Sequence, residues 1–136
     1  MKVMLDAGAF APTRSHRTDA GLDIKSPVTT KVPAHGSTVI DTGVHVELPH
    51  GTAGMIKSRS GLNTWFGIVS EGVVDVGYTG SIKVKIYNHS DKYYLIQRGD
   101  KLAQLVIVEC IFPDVEIVDS LEDTERGDNG FGSSGR

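Results

Sequence analysis

The stretch from Ser81 to Asn88 alternates without a break: Ile82, Val84 and Ile86 fall on one face, Lys83, Lys85 and Tyr87 on the other. Alternation with a period of two specifies a strand with one face buried. Just before it stands EGVVDVGYTG, residues 71–80, in which the β-branched pair Val73 and Val74 suits a second strand. Gly72 and Gly77 punctuate its ends. Joined through Gly-Tyr-Thr-Gly, the two strands read as a β-hairpin whose turn is longer than two residues. Asp75 falls near the hairpin's end and Tyr78 three residues on. They read either as a turn cap and a sheet-edge cover, or as an acid at a pocket mouth with an aromatic wall beside it.

The same signature recurs along the chain. Lys2–Leu5, Ser37–Asp41, Val44–Leu48, Gly54–Lys57, Ile82–Tyr87, Tyr93–Ile96 and Leu102–Glu109 read as strands, with another short one inside the polar loop before Pro27. Short strands separated by turn signals every ~8–12 residues predict an all-β sandwich or barrel. Residues 58–67 have room for one or two helical turns, bounded by Gly61 and Gly67. Leu102–Val108 is apolar on both faces, which predicts burial between layers or against another subunit, and a subunit interface is favoured. After Ser120 the composition turns polar and glycine-rich, with Phe131 the single aromatic. Residues 1–120 are therefore expected to form one core domain, and residues 121–136 an arm too poor in apolar residues to build a core.

A chain of 136 residues suits one domain with a real core. Its net charge of −3 supplies no electrostatic case for a nucleic-acid partner. No run approaches the ~18 apolar residues of a membrane span, and Asp6 interrupts the N-terminal stretch too soon for a secretory signal. The single cysteine, Cys110, has no internal partner, which fits a reducing cytoplasm. It follows an apolar run and reads as a buried, inert thiol in preference to a nucleophile. The five histidines show no ligand spacing.

Four further stretches carry residues with chemistry. Asp23 lies among apolar residues in AGLDI and is structural or a ligand to something charged. Ser58, Arg59, Ser60 and Gly61 follow a strand; hydroxyls, an arginine and free backbone N–H groups there suit phosphate, although Ser-Arg-Ser also occurs in plain loops. Gln104 is a lone polar residue in an apolar strand, either a satisfied core amide or a ligand contact. The tail RGDNGFGSSG lacks the lysine placement of a Walker loop, and Arg126 and Phe131 are out of place in a plain linker.

Taken in order, AGLDI, KSRSGL, EGVVDVGYTG, RGDKLAQLVI and RGDNGFGSSG resemble the five motifs of the trimeric dUTPase family, from Ala20 to Gly135. The resemblance implies a distorted jelly-roll or β-barrel-like fold, a homotrimer with shared active sites, and hydrolysis of dUTP to dUMP and pyrophosphate. This would keep uracil out of DNA and supply dUMP for thymidylate synthesis. It implies that Asp75 is the general base activating water for attack on the α-phosphorus, with Gln104 near that water. Tyr78 would pack on deoxyribose, and Gly72, Val73 and Val74 would read uracil through their backbone, with Lys83 also at the substrate. Ser60 and Gly61 would hold phosphate, while Arg59 makes a phosphate contact or a structural ion pair. Asp23 would reach Mg²⁺ through water. Arg126 would grip the γ-phosphate, Phe131 would stack on uracil, and Gly132, Ser133, Ser134 and Gly135 would close over the phosphates as a lid. Two positions depart from the family pattern: Gly77 stands where many relatives have a second acid, and Val69 where many bacterial relatives have asparagine. A dCTP deaminase of the same fold and a dUTP-dependent regulatory binding module are the alternative readings.

Overall fold

The computed structural model describes residues 1–129. Ten strands and one short helix follow in order: β1 Lys2–Leu5, β2 Gly21–Lys25, β3 Thr30–Val32, β4 Ser37–Asp41, β5 Val44–Glu47, β6 Thr52–Ser58, α1 Ser60–Phe66, β7 Ile68–Val74, β8 Lys83–Asn88, β9 Tyr94–Ile96 and β10 Lys101–Glu109. Six of them form one curled sheet in the order β2-β10-β6-β7-β8-β4, flanked by the two-stranded sheets β1-β5 and β3-β9. All pairs are antiparallel, so the chain is all-β, as its alternation predicts.

The pleat explains the layering. Along β8, Val84, Ile86 and Asn88 are buried and Lys83, Lys85 and Tyr87 exposed. Val84 and Ile86 join Ile24, Ile40, Val44, Ile56, Leu102 and Leu105 in a single apolar core. Each such side chain contributes about 1.5–3 kcal/mol by leaving water. Asn88 is buried without cost because its amide is fully used. Its Nδ2 donates to the carbonyls of Val32 at 3.2 Å and Lys92 at 2.8 Å. Its Oδ1 accepts from the N–H and hydroxyl of Ser90.

Strand β10 lies between β2 and β6, and the register aligns Asp23 with Gln104, Gln104 with Lys57, and Lys57 with Glu71. Directly opposed residues share a face. Those four therefore make a polar row across the sheet, while Leu22, Leu105, Ile56 and Gly72 make the adjacent row toward the core. Gly54 is required where β6 crosses this core, since a Cβ there would stand 2.7 Å from Leu105 Cδ1.

The structure differs from the sequence reading at the hairpin. Gly72 lies inside β7 instead of ending it, and β7 begins at Ile68. β7 and β8 pair only over Ile68–Ser70 with Ile86–Asn88, then part. A further strand, β3, is too short and mixed for alternation to reveal. Beyond Glu109 no helix or strand forms up to Asn129, and Ile111, Val115, Ile117 and Leu121 are between 87% and 94% exposed. In β10 itself, Leu102, Ala103 and Leu105 are buried, but Val106, Ile107 and Val108 remain partly open.

Candidate active site

The parting of β7 from β8 makes the first half of the site. The Ser70 N–H donates to Ser58 Oγ at 2.9 Å, and that hydroxyl donates to the Ser70 carbonyl at 3.0 Å. Both Ser70 backbone groups thus face β6. Alternation then turns the N–H and C=O of Glu71 and Val73 to the other edge, where β8 no longer pairs with them. The gap is a cavity of about 320 Å³ lined by Ile56, Gly72, Val73, Val74, Asp75, Tyr78, Ile82 and Lys83. Asp75 is exposed at its mouth. An unpaired strand edge inside a cavity offers donors and acceptors at fixed spacing, as needed to read the edge of a base.

The loop after Asp75 is a tight turn. The Tyr78 N–H donates to the Asp75 carbonyl at 3.1 Å, and Gly77 has φ +89°. A type II turn needs positive φ at its third residue, so glycine belongs there. Tyr78 folds back so that its hydroxyl donates to the Ser81 carbonyl at 3.0 Å. Its ring passes close over Gly80, where a Cβ would stand 2.5 Å from the hydroxyl oxygen. Val69 pairs with Tyr87 and does not line the cavity.

The loop is seated on the β4–β5 turn. The Ile82 N–H donates to the Val44 carbonyl at 2.8 Å, and the Ile82 carbonyl accepts from the Thr42 N–H and hydroxyl. The Ser81 hydroxyl donates to Asp41. That donation, with the Gly43 N–H, holds the Asp41 carboxyl below its ordinary pKa.

The second half of the site is a polar cavity of about 210 Å³ lined by Ser15, Asp19, Gly21, Asp23, Arg59, Ser60 and Gln104. Asp23 is 8% exposed. Its carboxylate lies 2.7 Å from Lys101 Nζ and 3.3 Å from Arg59 Nε, and accepts from the Ser15 hydroxyl at 3.3 Å. A carboxylate this buried needs such partners. Arg59 thus forms an ion pair with Asp23 in this chain. Gln104 Nε2 donates to the Ser58 carbonyl at 3.3 Å, and its Oε1 lies over Gly21. Gln104 therefore makes one backbone hydrogen bond and forms a wall of the cavity. The first intrahelical bond of α1 is from the Asn63 N–H to the Arg59 carbonyl, so the N–H groups of Ser60, Gly61 and Leu62 have no partner within the helix.

Among the described residues none lines both cavities. One chain brings Asp75, Tyr78, Lys83 and Gly72–Val74 together, and separately Asp23, Arg59, Ser60 and Gln104. Arg126 joins neither; its Nε donates to the Asn129 carbonyl at 3.1 Å within the arm. Phe131, Gly132, Ser133, Ser134 and Gly135 lie outside the described residues. Lys101 and Ser15 belong to the second cavity's ion-pair network although the sequence reading passed over both. The register of β10 against β2 brings Lys101 to Asp23, and the bridge between Thr13 and Asp23 brings Ser15, though the lysine stands in the same RGDKLAQ stretch as Gln104.

Among the described residues no group of three or more His, Cys, Asp or Glu could hold a metal ion. Asp23 is a single carboxylate already facing two cations. Its donor chemistry fits an ion that is carried by phosphates and met through water, as Mg²⁺ commonly is, and does not fit a protein cage.

Residues 8–135 match the dUTPase family model. The chain belongs to the dUTPase family. It is 44% identical over 128 residues to the deoxyuridine 5'-triphosphate nucleotidohydrolase of Paramecium bursaria Chlorella virus 1, covering 93% of this chain and 91% of that one. A mutant of the Staphylococcus bacteriophage 80alpha dUTPase with dUpNHpp superposes with a TM-score of 0.92 at 33% identity, covering 99% of this chain and 98% of that one. A mutant dUTPase from phage phi11 of S. aureus, described with a coordinated structural Mg(II) ion, gives a TM-score of 0.82 at 33% identity over 90% of this chain and 98% of that one. No helix among the described residues is long and apolar enough to cross a membrane.

Proposed function

We propose that this protein hydrolyses dUTP to dUMP and pyrophosphate in a homotrimer whose active sites are shared between subunits. The observation that carries the reading is the cavity opened where β7 leaves β8, with a free strand edge, Tyr78 as wall and Asp75 at the mouth. Uracil is read by the backbone of Gly72, Val73 and Val74. The close approach of a strand leaves no room for the methyl group of thymine, and the Tyr78 ring leaves none for a 2′-hydroxyl. Lys83 flanks the same opening.

Asp75 accepts a proton from a water as that water attacks the α-phosphorus. The bond to the α–β bridging oxygen breaks and pyrophosphate leaves. A carboxylate within hydrogen-bond reach of the water is the minimum such a step needs. Gln104 orients the water or an α-phosphate oxygen, and Ser60 and Gly61 hold phosphate through the hydroxyl and the free N–H groups of α1. When bound, Mg²⁺ neutralises phosphate charge and fixes the triphosphate for in-line attack. Asp23 faces it through water, and Arg59 and Lys101 hold that carboxylate in place.

The division of these groups between two cavities on one chain supports assembly of the site from more than one subunit. The partly exposed Val106, Ile107 and Val108 and the exposed Ile111, Val115 and Ile117 that follow β10 support burial against other copies. Arg126, Phe131, Gly132, Ser133 and Ser134 then close over the triphosphate from the arm, excluding water and selecting against shorter phosphate chains. A cytoplasmic setting suits the unpaired Cys110.

The test is pyrophosphate release with Mg²⁺ from dUTP, dCTP, dTTP and UTP. Release from dUTP alone is expected. Ammonia from dCTP would establish the deaminase instead, and binding of dUTP without release would point to a regulatory module.

A further inference from the structure

The nucleoside loop has one anchor that can change its charge near neutral pH. His45 lies on β5, directly opposite Met4 of β1. Its Nδ1 is 2.8 Å from the carbonyl oxygen of Thr79, the residue after Tyr78. Its Nε2 is shut off from solvent, with Asp6 Oδ1 at 3.3 Å, an ion-pair distance without the alignment of a hydrogen bond. Asp6 is itself fixed, because its N–H donates to the Gly43 carbonyl at 2.8 Å. Gly43 must be glycine for this approach; a Cβ there would lie 3.1 Å from Asp6 Cβ and 2.9 Å from Ala9 Cβ.

Both neighbours of the ring are acceptors. A neutral imidazole has one N–H, so it leaves a lone pair facing either the Thr79 carbonyl or the Asp6 carboxylate. Only the imidazolium turns an N–H toward both. We propose that His45 is a positioning residue of the nucleoside pocket, held as an imidazolium between Thr79 and Asp6, and that nucleotide affinity weakens as the ring loses its proton. The inference rests on the reading of the 72–83 cavity as the nucleoside site.

Asp41, at the end of β4, adds attraction to the ring. Lys83 of β8, a cation that opposes the imidazolium, stands beside Asp41. Lys2 of β1 and Glu47 of β5 form their own ion pair at 3.0 Å farther along the same face. The hydrogen bond to the Thr79 carbonyl, then the nearby Asp6 carboxylate, raise the ring's pKa above its ordinary 6.5, against a smaller effect of burial. A raised value means that the ring's contribution to seating the loop is complete below about 6.5. It is lost as pH rises through the folded value. The other anchors, from Thr42, Val44 and Ser81, do not titrate near neutrality. His45 is therefore the one anchor of this loop through which a change around neutral pH can reach Tyr78.

The experiment uses the full-length protein in two measurements. Ring ¹⁵N signals of the histidines, followed against pH with dUpNHpp bound, give the titration of His45, assigned by its loss in His45→Gln. The expected midpoint lies above 6.5 and falls in Asp6→Asn. In parallel, the ratio of the KM for dUTP of His45→Gln to that of the wild type is followed from pH 6 to 9; the ratio cancels ionisation of the substrate's own phosphate. Glutamine can donate to only one of the two acceptors. A ratio of about two- to fivefold at pH 6 is expected, the size of one partly exposed charge pair. It should fall toward one by pH 9 while the kcat ratio stays flat. A ring that titrates at or below 6.5 with nucleotide bound, or a KM ratio that does not change with pH, overturns the proposal. If His45→Gln does not fold, the wild-type and Asp6→Asn titrations decide it. Absence of pyrophosphate release by the wild type would instead count against the proposed activity, and the dUpNHpp titration needs no turnover.

Discussion

Replacing Gly21 by alanine places a methyl group where Gln104 lies. An ideal Cβ on Gly21 stands 2.6 Å from Gln104 Oε1, 2.8 Å from its Cβ and 3.3 Å from its Cδ. The carboxamide could swing away, but Gln104 Cβ is fixed to the backbone of β10, so β2 and β10 must also give. Overpacking of this kind costs about 1–3 kcal/mol. Displacing Gln104 also breaks its bond to the Ser58 carbonyl, worth about 1 kcal/mol. Together these predict a loss of about 2–4 kcal/mol and a Tm lower by about 8–15 °C for a chain of this size. The assay is thermal unfolding at matched protein concentration, because unfolding of an oligomer depends on it. Turnover of dUTP is measured alongside, and kcat is expected to fall with Tm because Gln104 lines the cavity that Gly21 shares. A Tm within about 2 °C of the parent, well inside the smallest cost expected of overpacking, would show that β2 and β10 separate freely. It would refute the argument that glycine is needed at this crossing.

Asp75→Asn should keep dUTP binding and lower kcat by about 10²–10⁴, the usual contribution of a general base; titration calorimetry and pyrophosphate release check the two parts. An active variant would exclude Asp75 as base. Removing residues 124–136 should leave the oligomer unchanged by light scattering yet reduce hydrolysis severely. Dissociation on this truncation would make the segment a structural brace instead of a lid.

The strands were legible because alternation is a local property. Val84, Ile86 and Asn88 are buried in β8 as a two-residue period requires, and Ser60–Phe66 forms the expected helical turns, with Gly67 ending them but Gly61 inside the helix and not at its boundary. The family was legible through its five ordered motifs. What could not be read is pairing. Nothing in EGVVDVGYTG says that β7 leaves β8 at Ser70 yet stays with β6 as far as Val74. That choice depends on Ser58, Asp41 and Val44, which lie between 12 and 40 residues away along the chain.

The same holds for charge. Asp23 sits in a motif, but its ion pairs with Arg59 and Lys101 exist because β10 enters the sheet between β2 and β6. His45 alternates along β5 like any exposed residue, and only the closure of the β7–β8 loop onto the β4–β5 turn sets Thr79 against it. The sequence by itself determined which alternating segments form strands and which face of each is buried, since side-chain period acts within a few residues, and its ordered motifs determined the family. Tertiary structure alone decided which strand edges stay open and which charges meet, since hydrogen-bond pairing and Coulomb contacts join segments that the chain keeps far apart.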